Sequence, residues 1–167
     1  MIIDNENKNL KVHEWITKYT EKGKFDLVTG YFTIGALAFL TKNINTKISE
    51  FRLVLGDIVN IDVEENKPLD LLNENITIEA ALKLNKISQL AVEFLKQEKV
   101  KAKTLEPNFC HAKLYLHKAA NDERHHYYIS GSSNLTEAGI GLKTTNNVEL
   151  NISDTGNDNR YIELAEW

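Results

Sequence analysis

Apolar residues recur along this chain in two rhythms, and the switch between them outlines the fold. Leu10, Val12, Trp15, Ile16 and Tyr19 fall near helical spacing, which predicts an amphipathic helix over residues 7–21. After Gly23 the run FDLVTGYFT, Phe25 to Thr33, is rich in β-formers and reads as a strand. The short apolar run IGALAFLTK, residues 34–42, reads as a helix packed on that strand. A second strand, Phe51 to Leu55, stops at Gly56. Residues 57–75 are acidic and Asn-rich, contain Pro68, and read as an irregular excursion. A long helix from about Thr77 to Gln97 follows, with Ala80, Leu84, Ile87, Ala91, Phe94 and Leu95 as its apolar stripe.

The second half is richer in strands. Val100 to Leu105 is a predicted strand, ended by Pro107. His111 to His117 and Tyr127 to Ser130 read as a hairpin with a long polar tip. Asn134 to Gly139 reads as a short helix, with Gly139 and Gly141 as stop signals. Asn147 to Ile152 alternates and is a predicted strand, and a last helix begins near Asp158. Strands alternating with helices predict an α/β class with a mixed sheet containing one adjacent antiparallel pair.

Composition narrows the picture. At 167 residues, 42% hydrophobic and 26% charged, the chain has the balance of one soluble globular domain spanning 1–167. The sequence stops at Trp167 inside a predicted helix, so a piece of a longer protein is expected. A single cysteine, Cys110, rules out an internal disulfide, and a reducing cytoplasmic setting is expected. The first residues carry no signal-peptide pattern, no apolar run is long enough for a membrane span, and no membrane partner is expected.

Net charge is −4, which by itself opposes a nucleic-acid partner, but the charge is divided along the chain. Residues 57–79 carry seven carboxylates against one lysine. Residues 96–126 carry seven Lys and Arg against four carboxylates, together with four of the five histidines. A local basic surface of this kind can hold phosphates.

The chemistry concentrates in residues 110–153. On a strand from His111 to His117, His111, Lys113, Tyr115 and His117 share one face, and Ala112, Leu114 and Leu116 form the expected core face. An imidazole and an ammonium two residues apart suit a phosphate. The first can act as nucleophile or acid/base, and the second offsets charge at phosphorus. Gly131-Ser132-Ser133-Asn134 follows a strand and offers N–H groups and hydroxyls to an anion. For Asn134 alone a structural role is favoured, as cap of the 134–139 helix with Glu137 completing a capping box. Along residues 147–152, Val148, Leu150 and Ile152 form the expected core face, opposite Asn147, Glu149 and Asn151. A carboxylate at Glu149 beside a histidine would orient the ring.

Each motif is weak alone; their order is specific. His-x-Lys, then Gly-Ser-x-Asn, then Asn-x-Glu resembles the phospholipase D superfamily. The GSSNLTEAG wording and the NNVEL strand are similar to its nuclease branch, in particular the N-terminal domains of bacterial helicase-like and restriction-type proteins. LVTGYF and FRLVLGD are similar to the opening strands of such domains. The resemblance implies a three-layer αβα fold with helices flanking a mixed sheet. It implies a metal-independent endonuclease with His111, Lys113 and Glu149 as catalytic residues, and Lys113, Ser132 and Asn134 as phosphate ligands. No cofactor and no metal are implied. The family's two facing His-x-Lys motifs imply a homodimer, because this chain has one. The implied partners are nucleic acid, most readily DNA, and a helicase domain linked in the full-length protein.

One departure keeps an alternative open. The family's Asp, five residues after the Lys, is here Lys118, and Asp122 lies in the hairpin tip. Restriction-type members often lack that Asp. A catalytically silent DNA-binding module is the alternative. Cys110, His111, His117, His125 and His126 lie close in sequence, but without zinc-site spacing no metal is expected there.

Overall fold

The computed structural model describes residues 1–5, 10–56, 78–105, 110–145 and 148–167. The acidic excursion, Pro107 and Asn147 lie outside them, as do the first residues of the predicted opening helix. The described strands are β1 (Ile2–Asp4), β2 (Gly23–Thr29), β3 (Ile48–Leu55), β4 (Val100–Thr104), β5 (Leu114–Ala119), β6 (Tyr127–Gly131) and β7 (Leu150–Thr155). They form one sheet in the order β1-β7-β6-β5-β2-β3-β4. The described helices are α1 (Val12–Tyr19), α2 (Ile34–Ile44), α3 (Ile78–Leu95) and α4 (Asn159–Glu166).

The sheet is mixed, as expected, but with more antiparallel pairing than one adjacent pair. β2–β3 and β3–β4 are parallel, and the other four neighbours are antiparallel. Parallel pairs need helical crossovers, which α2 and α3 provide; β5 and β6 are joined as a hairpin instead.

Strand register explains the two cores. Phe25 pairs with Phe51 on one side and His117 on the other, and His117 pairs with Tyr127. These four side chains share one sheet face and meet as rings, with Phe25 stacked on Phe51 at 5.9 Å between centroids. Phe94 of α3 packs on Phe51, and Trp15 of α1 on Tyr127. This face, under α1, α2 and α3, holds the larger core. The opposite face carries a smaller cluster of Val28, Cys110, Leu114, Leu116 and Tyr128, with Tyr161 of α4 against it. Helices therefore flank the sheet on both sides in a three-layer α/β arrangement.

That layering corrects the expected faces of β5. The strand starts at Leu114, three residues later than predicted, so His111 and Lys113 precede it. Leu114 and Leu116 are buried as expected, but Tyr115 and His117 are buried too, in the larger core. A central strand covered on both faces cannot keep a polar side. His126, in the hairpin return, is also buried, 4.9 Å from the Tyr161 ring, while His125 stays exposed against Glu21.

β7 is corrected in the opposite direction. Its alternation is real, but Val148, Leu150 and Ile152 are exposed while Asn151 and Ser153 are buried. The inner side here receives a polar turn, with Asn151 bonded to Ser133. The outer side lies beyond the reach of α4, whose buried Tyr161 packs over β5 and β6.

Candidate functional site

In the antiparallel β2–β5 pair, Val28 stands opposite Leu114. The C-terminal end of β2 therefore meets the segment carrying His111 and Lys113. Leu114 pairs with Ser130, and Gly131 with Asn151, so the same end of the sheet receives Ser132–Asn134 and Glu149. All five candidate residues thus come to one end of four neighbouring strands. Loops at the carboxyl ends of parallel strands are the usual place for ligands in α/β sheets.

His111 is exposed and Lys113 half-buried. The segment is tied down by its backbone. Cys110 N–H donates to Gly56 O at 3.3 Å, Gly131 N–H donates to Lys113 O at 3.3 Å, and the Lys113 ammonium donates to His111 O at 2.6 Å. This places a cation directly beside the His111 backbone at the sheet's rim.

Glu149 accepts a short hydrogen bond from the Ser132 hydroxyl, which itself accepts from Leu150 N–H at 3.0 Å. Asn5 holds the Glu149 backbone, its side-chain oxygen accepting from Glu149 N–H at 3.0 Å. The Glu149 charge also reaches Tyr115. Burial first, and that negative charge second, push the Tyr115 phenol well above its usual range.

The predicted helix at Asn134–Gly139 is absent; the segment is a turn. Its groups are taken by the β2–α2 loop instead. Thr33 N–H donates to Leu135 O, Glu137 N–H donates to the Thr33 hydroxyl, and Gly141 closes the turn at φ +82, where a side chain would strain the backbone. Asn134 is therefore no helix cap. Its Oδ1 accepts from Gly30 N–H at 2.9 Å and from the Thr29 hydroxyl at 3.2 Å. With the oxygen held, the Asn134 amide nitrogen is the end left to donate to a ligand. Glu137 does not complete a capping box; its carboxylate pairs with Lys143.

Three residues that the sequence reading did not assign to the site hold this turn. Thr29, fully buried, accepts from Leu135 N–H at 3.0 Å. Asn151 clamps Ser133 twice, accepting from its N–H at 3.2 Å and donating to its hydroxyl at 2.9 Å. Tyr115 donates its hydroxyl to Ser133 O at 3.0 Å. Gly131 permits the clamp, since a Cβ there would lie 2.3 Å from Leu150 O. The only sequence signal for Asn151 and Ser153 is polarity at alternate positions of an apolar strand.

The remaining candidates lie elsewhere. Lys118 sits near the far end of β5, opposite Lys24, and Asp122 pairs with Arg124 in the 3-10 turn after that strand. The guanidinium beside it holds the Asp122 carboxyl well below the usual range. Neither supplies a carboxylate at the His111 end of the sheet. A groove of about 380 Å³ between α4 and strands β2–β5, walled by Arg52, Lys101, Leu116 and Trp167, contains none of the candidate residues.

No protein-family model matches this chain, and no curated protein matches it at a significant level.

Proposed function

We propose that this chain is a metal-independent phosphodiesterase of the phospholipase D type that cleaves nucleic acid, most readily DNA. The observation that supports the reading is the gathering of His111, Lys113, Ser132, Asn134 and Glu149 at one end of four adjacent strands, although 38 positions separate the first from the last.

The His111 imidazole attacks phosphorus, a P–N bond forms, and the P–O bond to the leaving strand breaks. The partner subunit's His111 gives its proton to the leaving oxygen. It then takes a proton from water, whose oxygen displaces His111 and restores both rings. Lys113 and the Asn134 amide hold the non-bridging oxygens, and Ser132 joins them by turning its hydroxyl from Glu149 to the phosphate. Glu149, relieved of Ser132, steadies a histidinium. The two copies form a homodimer, and in a longer protein the domain serves a linked helicase or restriction unit.

The test is cleavage of plasmid and single-stranded DNA in EDTA by the wild type beside His111→Ala. Cleavage that persists in EDTA and vanishes in the variant is expected. Cleavage that requires added Mg²⁺ would overturn the mechanism.

A second reading has one observation in its favour: the position of the family's Asp holds Lys118, and the neighbouring carboxylate, Asp122, lies at the other end of β5 from His111, paired with Arg124. It makes the chain a DNA-binding module without turnover. It predicts salt-sensitive binding and no product from the wild type.

A further inference from the structure

Two rows of side chains cross four strands on the sheet face where α4 packs. Leu114, Val28, Val54 and Lys103 stand side by side across β5, β2, β3 and β4. Leu116, Asp26, Arg52 and Lys101 make the neighbouring row. Both rows line the groove of about 380 Å³, and Leu164 and Trp167 at the end of α4 wall its other side. Each row starts on a leucine of β5 and ends on a lysine of β4, the strand at the sheet's edge.

The two rows differ in how their charge is used. In the second, Arg52 pairs with Asp26, and Lys101 shares Glu50 with Lys24. One carboxylate serving two ammonium groups leaves this side of the groove positive. In the first row, Val28 and Leu114 are buried and Val54 is half-buried, so the three form an apolar floor. Lys103 ends that floor with an exposed ammonium that pairs with no carboxylate among the described residues. Glu166, the other carboxylate lining the groove, belongs to the α4 wall.

We infer that this groove binds an amphipathic organic anion, with its apolar body on Leu114, Val28 and Val54 and its single anionic head at Lys103. Dimensions support that occupant. Neighbouring strands lie about 4.8 Å apart, so the floor runs about 10 Å from Leu114 to Val54, with Lys103 about 5 Å further on. An extended chain advances about 1.2 Å per bond, so a body of about eight to ten carbons fills the floor. The volume also falls in the range of about 300–1,000 Å³ of small-molecule sites, which are mostly apolar with a few placed polar groups.

Charge supports it too. A lysine at the end of an apolar floor attracts an anionic head and repels a cationic one. A nucleic-acid strand fits less well, because it presents a phosphate at every nucleotide and this row offers one cation after three apolar positions. None of the five candidate residues lines the groove, so the inference stands apart from the proposed reaction.

Decanoate, kept below micelle formation, is the probe. It is titrated into the whole chain by calorimetry and followed by tryptophan emission. Saturable binding at one site is expected, with emission shifted to the blue, since Trp15 is already buried and Trp167 is 71% exposed. Decanol and decyltrimethylammonium are expected to bind roughly tenfold more weakly or worse, and acetate not to saturate. Lys103→Gln is expected to weaken decanoate binding roughly fivefold, and Lys103→Arg, which keeps the charge, to preserve it. Val54→Thr puts a hydroxyl into the floor and is expected to weaken binding roughly threefold. Lys18→Gln, on α1 and outside the groove, is expected to change nothing. Where Val54→Thr melts early, Lys103→Gln decides, because its position is exposed. No saturable binding, equal affinity for decanoate and decanol, or full affinity in Lys103→Gln overturns the inference.

Discussion

The side-chain oxygen of Asn134 lies 2.9 Å from the backbone nitrogen of Gly30, 104 positions earlier in the chain. This contact joins the end of β2 to the turn after β6, and it fixes the Asn134 amide with its oxygen toward β2. Thr29 reinforces it with a buried hydroxyl that serves both loops at once.

Thr29 should therefore matter through its hydroxyl and not its volume. Thr29→Val keeps the shape but leaves the Leu135 N–H buried without its acceptor, at a cost of about 1–3 kcal/mol. Thr29→Ser keeps the bonds and should cost less. Urea unfolding of the two variants decides this; equal losses would show that packing dominates. Under the proposed reaction, cleavage should fall further in Thr29→Val than in Thr29→Ser.

Asn151 should behave as a core residue despite its polarity. Removing it in Asn151→Ala deprives Ser133 of two partners in a buried setting. A loss of about 2–4 kcal/mol is expected. Tyr115→Phe, which loses one bond to Ser133 O, should cost about 1–2 kcal/mol. A thermal melt within a degree of wild type for Asn151→Ala would contradict this account.

Acid should loosen the fold through His117. Both ring nitrogens are committed in the neutral form: Nδ1–H donates to Lys24 O at 3.0 Å, and Nε2 accepts from Glu21 N–H at 3.3 Å. Burial lowers the pKa to about 4, below the unfolded value of about 6.5. The folded state thus binds this proton less readily than the unfolded state. The resulting stability is complete above pH 6.5 and is lost as the pH falls to about 4, on the order of 2–3 kcal/mol. Burial lowers the His126 pKa as well, adding in the same direction. Glu50, lowered to about 2 by its bonds to Lys24 and Lys101, acts in a separate window, losing its contribution as the pH falls from about 4.5 toward 2. Urea midpoints measured from pH 7.5 to 4 for wild type and His117→Gln should converge toward low pH. Parallel curves would assign the acid sensitivity to other groups.

Glu149 offers a test confined to the proposed reaction. Glu149→Gln keeps a partner for Ser132 but removes the charge. EDTA-resistant cleavage is expected to drop 10²–10⁴-fold, with DNA affinity nearly unchanged. Unaltered turnover would make Glu149 a brace for the Gly131–Asn134 turn and nothing more.

Much of the fold was legible in the local pattern. The stripe from Ala80 to Leu95 announced α3, and the β-rich runs before Gly56 and after Tyr127 announced β3 and β6. The local pattern at Asn134–Gly139 predicts a helix that is absent, because Asn134, Glu137 and two glycines imitate helix punctuation. In the folded chain Thr29, Gly30 and Thr33 compete for the same groups and win. The candidate residues stand out in the sequence by type and order, and the residues that hold them do not. Thr29 and Asn151 have no local mark of importance, since their partners are distant in sequence.

What the sequence determined by itself is periodicity and residue type: which stretches extend or coil, and that His111, Lys113, Ser132, Asn134 and Glu149 are the candidate residues. What only the tertiary structure decided is direction. Period-two alternation says that a strand has two faces, and it is silent on which one another layer will cover. β5 lies mid-sheet between helices and buries both faces, His117 included. β7 lies next to the sheet's edge, beyond the cover of α4, so its polar face turns inward to Ser133 and its apolar face turns outward. Burial depends on the position of a strand in the sheet, and that position is set by pairing with distant segments.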